Sequence, residues 1–568
     1  MPSENQEQSY GREISSRWLA AAFTSTDTYY DHNYLRYQGF EVPLVRRLLQ
    51  PIPEPEGPWE GDVGKRRAYV WLEIPSAENL TCNWNIDGYT TTQNCDERIS
   101  VGMRRGESTT SISVFVPESN TEYSLSGVDT FIEERLILTL GDSYSSGEGV
   151  PDFAALTRFD FRDRRGTDSA TSSNPPIRIE RIPALGAQNT LSPNAAYWMD
   201  RTCHRSFLSA PSRAAIHFAS YNPRVEVVHI NLACSGAEVL SGVLGTYSGT
   251  LETSEPKRIL EREINGDRPD LWRTNLSQIN QAILLLCANP KIEEYIEEFN
   301  AYYEQHANYF SENFNRFPDD DPFLKVIECE SELAYDVDLI TLSIIGNDVG
   351  FMGNVHWFMQ SWFECRGSGL CQDPEETAEQ AAEITIPLYE RLNESLTEHL
   401  GVSSEQILGT TYPIGTQDDD GSYCSGGYRM QTFNVFQGAG PLISRREMQR
   451  VTEIAAEAVN TKIEEAGRLN RWQILEASSL FDGHGWCAGE EELYTGGNPL
   501  NAYTFTTRRI RTSDDAVASQ NQSAVDYERQ RGRRVSRMLS TYGVMHPNGL
   551  GAAAWADLYL DAYEEMLN

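Results

Sequence analysis

No apolar run in the 568 residues is long enough to cross a bilayer, so a membrane-spanning helix is excluded as an organising element. The opening residues, MPSENQEQSYGR, lack the charged-then-apolar pattern of a secretory leader, so export of this chain would imply that a leader has already been removed. Lysine is scarce, at five of the 47 basic residues, and those bases stand against 83 acidic residues. The resulting net charge of -36 excludes nucleic acid or an anionic membrane surface as the main partner, because like charges repel. Among the ten cysteines there is no C-x-x-C, which removes the zinc-ribbon and thioredoxin-like readings. Nothing else in the sequence calls for a metal or a cofactor.

What is present is ordinary globular material: 40% hydrophobic and 10% aromatic residues, in a chain long enough for two or three domains with substantial cores. The cysteines are even in number and read as pairs. Cys82 with Cys95, Cys203 with Cys234 and Cys365 with Cys371 are close in sequence; Cys287 with Cys329 and Cys424 with Cys487 complete the set. Disulfides in a chain of this size point to an oxidising compartment, secreted or periplasmic.

Along the chain, residues 1–57 form a mixed segment ending in the Pro-rich stretch PIPEPEGP, which reads as an extended linker. Residues 58–133 contain short β-branched and aromatic runs, AYVWLEI and SISVFV, separated by Asn, Gly, Ser and Thr; this predicts a small antiparallel β domain. From 134 to 568 the pattern alternates between strand and helix. Five apolar runs end it in turn: Leu136–Leu140, Val225–Ala233, Val337–Gly346, Gln406–Pro413 and Trp472–Ala477. They are apolar enough to be covered on both faces, as parallel strands are. Amphipathic segments at Pro374–Leu400 and Pro441–Gly467 predict helices between them. Insertions near 151–200 and 240–330, the second helical around QAILLLCA, interrupt the alternation.

Chemistry concentrates where strands stop. The run to Leu140 leads into GDSYSSGEG (Gly141–Gly149), a buried strand, a tight turn and a helix start. Ser143 in that turn lies beside backbone N–H groups that a helix start leaves unpaired and that can hold an oxyanion. The stretch lacks the G-x-S-x-G spacing of the α/β-hydrolase nucleophile elbow, which disfavours that fold. The second run ends in Cys-Ser-Gly-Ala, where Gly236 lets a backbone N–H approach a ligand closely. The third ends in Gly-Asn-Asp, where Asn347 offers a neutral amide donor. Near the C-terminus, YGVMHPNGLG places His546 just before a last helix.

These four blocks, taken in order, resemble those of the SGNH (GDSL) hydrolases. The segments CHRSFLSAP from Cys203 and FDGHGWC ending at Cys487 are similar to those of secreted bacterial esterases and lipases of that family that carry three disulfides. The resemblance covers about residues 134–568. It implies an α/β fold, an SGNH-hydrolase-like three-layer α/β/α domain with a parallel sheet, here preceded by a small β domain. It further implies Ser143 as nucleophile and His546 as base. Ser143, Gly236 and Asn347 would be the oxyanion donors, with pairs Cys203–Cys234, Cys365–Cys371 and Cys424–Cys487. No metal or other cofactor is needed. The substrate would be an ester, of a lipid or of an acylated small molecule or glycan; His204 and His484 would be structural or line the site. Carbohydrate or peptidoglycan O-acetylester hydrolysis, and a non-catalytic binding protein built on a degenerate hydrolase domain, are the alternatives.

One position departs from the family pattern. Many SGNH enzymes carry Asp three residues before the histidine, where this chain has Gly543. The expectation is a Ser143–His546 dyad oriented by a backbone carbonyl, that of Val544, with a carboxylate from a distant loop as the alternative.

Overall fold

The computed structural model describes residues within 67–150, 203–245, 276–295, 324–350, 374–424, 444–488, 509–510 and 543–567, with short breaks inside several of these stretches. Segment 1–57, insertion 151–200, most of insertion 240–330, and the Cys365–Cys371 pair lie outside the described residues.

The described residues open on six strands: β1 (Arg67–Leu72), β2 (Thr81–Ile86), β3 (Tyr89–Asn94), β4 (Ile99–Arg104), β5 (Thr109–Val116) and β6 (Thr121–Asp129). β1 pairs antiparallel with β4, and the other four form an antiparallel sheet in the order β3-β2-β5-β6. The two-residue period of a strand decides what is buried. On β2, Cys82 and Trp84 are buried while Asn85 is exposed, and Trp84 lies opposite the buried Val114 of β5. A Cys82–Cys95 disulfide closes the β2–β3 hairpin.

The second sheet is wholly parallel. Its strands are β7 (Glu133–Gly141), β8 (Val225–Asn231), β9 (Leu339–Ser343), β10 (Ile407–Thr410) and β11 (Gln473–Leu475), in the order β11-β10-β9-β7-β8. All five apolar runs of the sequence supply a strand. β9 and β10 are buried at every position, so both faces of the sheet are covered, which is why those runs are continuous rather than alternating. Counted from β7, the order is 2-1-3-4-5, the doubly wound order in which the chain reverses direction between the first and third strands. The crevice beyond the carboxyl ends of β7 and β9 is where such sheets bind ligands.

Among the described residues the α-helices are α1 (Ser143–Ser146), α2 (Ala210–Tyr221), α3 (Gln278–Leu286), α4 (Pro374–Leu400), α5 (Arg445–Arg450), α6 (Glu457–Asn470) and α7 (Gly549–Leu567), with a π-helical turn, Val451–Ala456, joining α5 to α6. α4 buries Thr377, Ala381, Thr385, Tyr389, Leu392, Leu396 and Leu400, one stripe at helical spacing. The helix expected from Pro441 instead starts at Arg445, because Ser444 and Glu447 form a capping box there. α7 packs on α2, with the rings of Tyr563 and Phe218 6.4 Å apart, and Arg135 Nε of β7 donates to the carbonyl of Leu567. One apolar core joins the parallel sheet to α2, α3, α4, α6 and α7. Each Leu, Ile or Val fully buried there contributes about 1.5–3 kcal/mol relative to exposure.

Four disulfides are described: Cys82–Cys95, Cys203–Cys234, Cys287–Cys329 and Cys424–Cys487. Protein made in an oxidising compartment should therefore gain at least eight hydrogens in intact mass on reduction, two for each of these four bridges. Alkylation of any of these eight cysteines without reductant would contradict the pairing. Breaking one of the bridges in the α/β region should lower stability by about 2–5 kcal/mol, read from urea midpoints.

Candidate active site

β7 ends at Gly141, whose φ of 118° only glycine adopts readily, and a Cβ there would lie 2.1 Å from the Ser343 carbonyl oxygen of β9. The close approach lets Asp142 N–H donate to that carbonyl at 2.8 Å. The Gln278 side chain clamps the same glycine from α3, accepting from its N–H at 2.7 Å and donating to its carbonyl at 2.8 Å. Asp142 then caps α1 by accepting from Tyr144 N–H at 3.0 Å. Ser143 is thus the first residue of a single helical turn, 7% exposed at the mouth of the crevice.

His546 reaches it from the other end of the chain. Its Nε2 lies 2.7 Å from Ser143 Oγ, and the ring is 4% exposed. Tyr144 stacks on that ring with centroids 4.6 Å apart at 28°, and its hydroxyl donates to the Met545 carbonyl at 3.0 Å. Met545 occupies the left-handed region, φ 63°, so the turn that aims His546 is strained and held by its neighbours. On the far side Asn548 N–H donates to Arg509 O, and Asn548 Oδ1 accepts from Gly551 N–H at the start of α7. A Cβ on Gly551 would meet the Arg509 carbonyl oxygen at 2.1 Å, so the glycine is what admits this strap. His484 supports the strap from outside, its carbonyl accepting from Arg509 N–H.

The loops after β8 and β9 meet beside this pair. Cys234 N–H donates to Gly141 O at 2.9 Å, and Gly236 follows with φ 83°. Asn347 Nδ2 donates one hydrogen to Ala237 O at 2.9 Å, which leaves the second N–H of the amide uncommitted by that bond. Asp348 accepts from Val239 N–H, so two successive side chains from the end of β9 brace the Gly236 bend. Ile345, β-branched and buried, is held at φ 99° just before them, an outlier of the kind that accumulates at functional sites.

Several buried ionisable groups surround the pair. Burial pushes Asp142 up to about 7, against hydrogen bonds from Tyr412, Tyr144 and Ser343 that favour its charge. Its closest partner is the Tyr412 hydroxyl at 2.5 Å, and that hydroxyl also accepts from Gly346 N–H. Burial and the charge of Asp142 hold the Tyr412 phenol protonated. Glu238 is raised to about 7 by burial, and Asp348 well above the carboxylate range by burial and by Glu238. Glu148 goes the other way. Burial would raise it, but His204, 2.5 Å away, the charge of His546 and a hydrogen bond from Ser235 outweigh burial and hold it below the usual range.

Of the residues expected from sequence, Ser143 and His546 are brought into hydrogen-bond contact, and Gly236 and Asn347 lie on adjoining loops at the same sheet end. His204 is fully buried against Glu148. Val544, expected to orient His546, lies outside the described residues. Sequence reasoning missed Tyr144, Glu148, Tyr412 and Asp348. Three of them sit inside or beside recognised blocks, but only the turn geometry says which way each faces. No group of three or more His, Cys, Asp or Glu side chains poised to hold a metal occurs among the described residues, and no described helix is long and apolar enough to cross a membrane.

Neither protein-family models nor curated proteins yield a match to the sequence. Among solved structures, the chain is similar to an extracellular lipase from Streptomyces rimosus at 13% identity. That pairing covers 76% of this chain and 99% of the other, with a TM-score of 0.34. It is also similar to a phospholipase A1 from Streptomyces albidoflavus at 13% identity, with 76% and 98% covered and a TM-score of 0.32. A family two carbohydrate esterase from Clostridium thermocellum follows at 10% identity, with 89% and 90% covered and a TM-score of 0.25.

Two outcomes are expected from this geometry. Tyr144→Phe keeps the stacked ring but leaves the buried Met545 carbonyl without its donor, which should cost about 1–3 kcal/mol in urea unfolding. An unchanged midpoint would show that the bond is not formed in solution. Glu148 has a folded-state pKa depressed below its unfolded value, so it adds stability above the ordinary glutamate value of about 4.3 and loses it as pH falls below that. Glu148→Gln should therefore unfold with a flatter dependence on pH over the acid range than the wild type.

Proposed function

We propose that this chain is an exported serine carboxylic-ester hydrolase working through an acyl-enzyme on Ser143. The observation that carries the reading is the 2.7 Å contact between Ser143 Oγ and His546 Nε2, made across 403 residues at the switch point of a parallel sheet. A hydrogen bond from a serine hydroxyl to a neutral imidazole nitrogen is the arrangement general-base activation requires.

In this reading His546 takes the Ser143 proton as the oxygen attacks an ester carbonyl. The carbonyl oxygen becomes an oxyanion facing the N–H groups of Ser143 and Gly236 and the second N–H of Asn347. The imidazolium then protonates the departing alcohol, and water, deprotonated by the same ring, releases the acid and restores Ser143. Every group in the cycle belongs to the chain. The braces on the Gly236 bend supply preorganisation, which is what gives oxyanion donors their effect. The substrate is an ester of a lipid or of an acylated small molecule or glycan. The disulfides support export to a secreted or periplasmic location.

A serine-directed fluorophosphonate should label the wild type and not Ser143→Ala. An unlabelled wild type would instead favour a binding protein on a degenerate hydrolase scaffold. Ser143→Ala should lose about 10³- to 10⁶-fold in turnover with folding unchanged, and near-normal turnover would end the reading. Asn347→Ala should lose about 10²- to 10³-fold in kcat, with KM changed less; a loss confined to KM would reduce Asn347 to substrate positioning. p-Nitrophenyl esters from acetate to palmitate, with acetylated xylan beside them, separate lipase-like from O-acetylesterase-like selectivity.

A further inference from the structure

We propose that Tyr412 is a positioning residue of this site: its buried hydroxyl ties the turn that carries Ser143 to the loop that carries Asn347, and so sets the amide where an oxyanion formed by attack of Ser143 needs it. The proposal rests on the reading of Ser143 as nucleophile and Asn347 as oxyanion donor.

Tyr412 follows the end of β10, and α6 holds its backbone. The N–H donates to Asn460 Oδ1 at 2.8 Å, and the carbonyl accepts from Asn460 Nδ2 at 2.9 Å. The side chain, buried, ends between two other strand ends. Its hydroxyl donates to Asp142 Oδ2 at 2.5 Å and accepts from Gly346 N–H at 2.7 Å. A hydroxyl has one hydrogen to give, and with the Gly346 N–H aimed at its oxygen that hydrogen is committed to Asp142. Burial and the charge of Asp142 keep the phenol protonated, so the donor persists. Asp142 immediately precedes Ser143, and Gly346 immediately precedes Asn347. One oxygen atom thus joins the residue before the nucleophile to the residue before the amide.

The Asn347 loop needs such a tie. Ile345 is held at φ 99°, and a residue in that region stays there only where its surroundings over-determine it. Bonds from the nucleophile turn secure β9 before that residue: Asp142 N–H donates to Ser343 O, and Ser343 N–H donates to Ser145 Oγ at 3.0 Å. The Tyr412 hydroxyl reaches the loop beyond it. A Cβ on Gly346 would lie 2.9 Å from the Tyr412 ring and hydroxyl, so the approach is open to glycine alone. With its backbone fixed on this side, Asn347 is fixed on the other by the bond from Nδ2 to Ala237 O. The same phenol ring meets Tyr144 edge-on, centroids 5.0 Å apart, and Tyr144 stacks on His546. Tyr412 is therefore in contact with the segments that carry the nucleophile and the amide, and with the ring that packs on the base.

The test is a double-mutant cycle on wild type, Tyr412→Phe, Asn347→Ala and the double variant, with urea midpoints to confirm that each is folded. It is read in kcat for the p-nitrophenyl ester that the wild type hydrolyses fastest, and in the rate of fluorophosphonate labelling. Phenylalanine keeps the ring and removes one oxygen. Tyr412→Phe should lower kcat and the labelling rate about 10- to 100-fold, with KM changed by less than about twofold, since a misplaced donor costs less than a missing one. In the Asn347→Ala background the same substitution should cost less than about threefold, because no amide is left to misplace. Equal losses in the two backgrounds overturn the proposal, since a merely structural hydroxyl would slow the protein whether or not Asn347 is present. Wild-type rates in folded Tyr412→Phe overturn it as well. Should Tyr412→Phe fail to fold, Asp142→Asn replaces it in the cycle: it keeps an oxygen to cap α1, turns the acceptor of the Tyr412 hydroxyl into a donor, and is judged by the same criterion. A wild type that never labels removes the nucleophile reading and this proposal together, and Asn347→Ala with wild-type rates removes the oxyanion role of Asn347 and this proposal with it. A labelled wild type, a slowed Asn347→Ala and equal losses remove this proposal alone.

Discussion

Everything at the reactive end of this molecule depends on how closely β7 and β9 approach at their last residues. The Asp142 N–H to Ser343 carbonyl bond extends the ladder one step past Gly141, in a space where no side chain fits. From that contact the chain must turn at once, and the residue after the turn is Ser143. The next strand ends add their loops around the same point, Cys234 by bonding to Gly141 and Asn347 by bonding to Ala237. The sheet order makes this possible, because a reversal between first and third strands opens a crevice where neighbouring loops diverge.

Around the crevice two buried carboxyl groups are shifted in opposite directions by different means. Asp142 sits among hydrogen-bond donors, and desolvation prevails over them. Glu148, equally buried, has an imidazole against it, and there the partner prevails. Two acidic residues a few positions apart in one short motif thus move to opposite sides of the ordinary carboxylate range because of what other parts of the chain bring to them.

That contrast also explains what could be read from the sequence. The five parallel strands were legible because burial on both faces leaves uninterrupted apolar runs, and α4 because its stripe recurs every three or four residues over its whole length. Ser143, Gly236, Asn347 and His546 were legible because each stands at the end of an element that periodicity already located. Tyr144, Glu148 and Tyr412 were not. Their roles depend on contacts with Met545, His204 and Asp142, partners that in two of the three cases lie hundreds of residues away, and no local pattern encodes such a meeting. The helix expected from Pro441 was displaced by a few residues for a local reason, the Ser444 capping box, that competes with apolar periodicity in setting where a helix begins.

The placement of His546 has a bearing on the order in which the molecule becomes competent. Ser143 follows the first parallel strand to leave the ribosome, and His546 follows the fifth, on a turn anchored by α7. A nascent chain with four of those strands exposed already carries Ser143, but the imidazole that lies 2.7 Å from it in the folded chain has yet to be made. The contact between the two ends of the sequence is therefore complete only when the last helix is in place on α2, and under the proposed reading any chemistry that needs both groups waits for it.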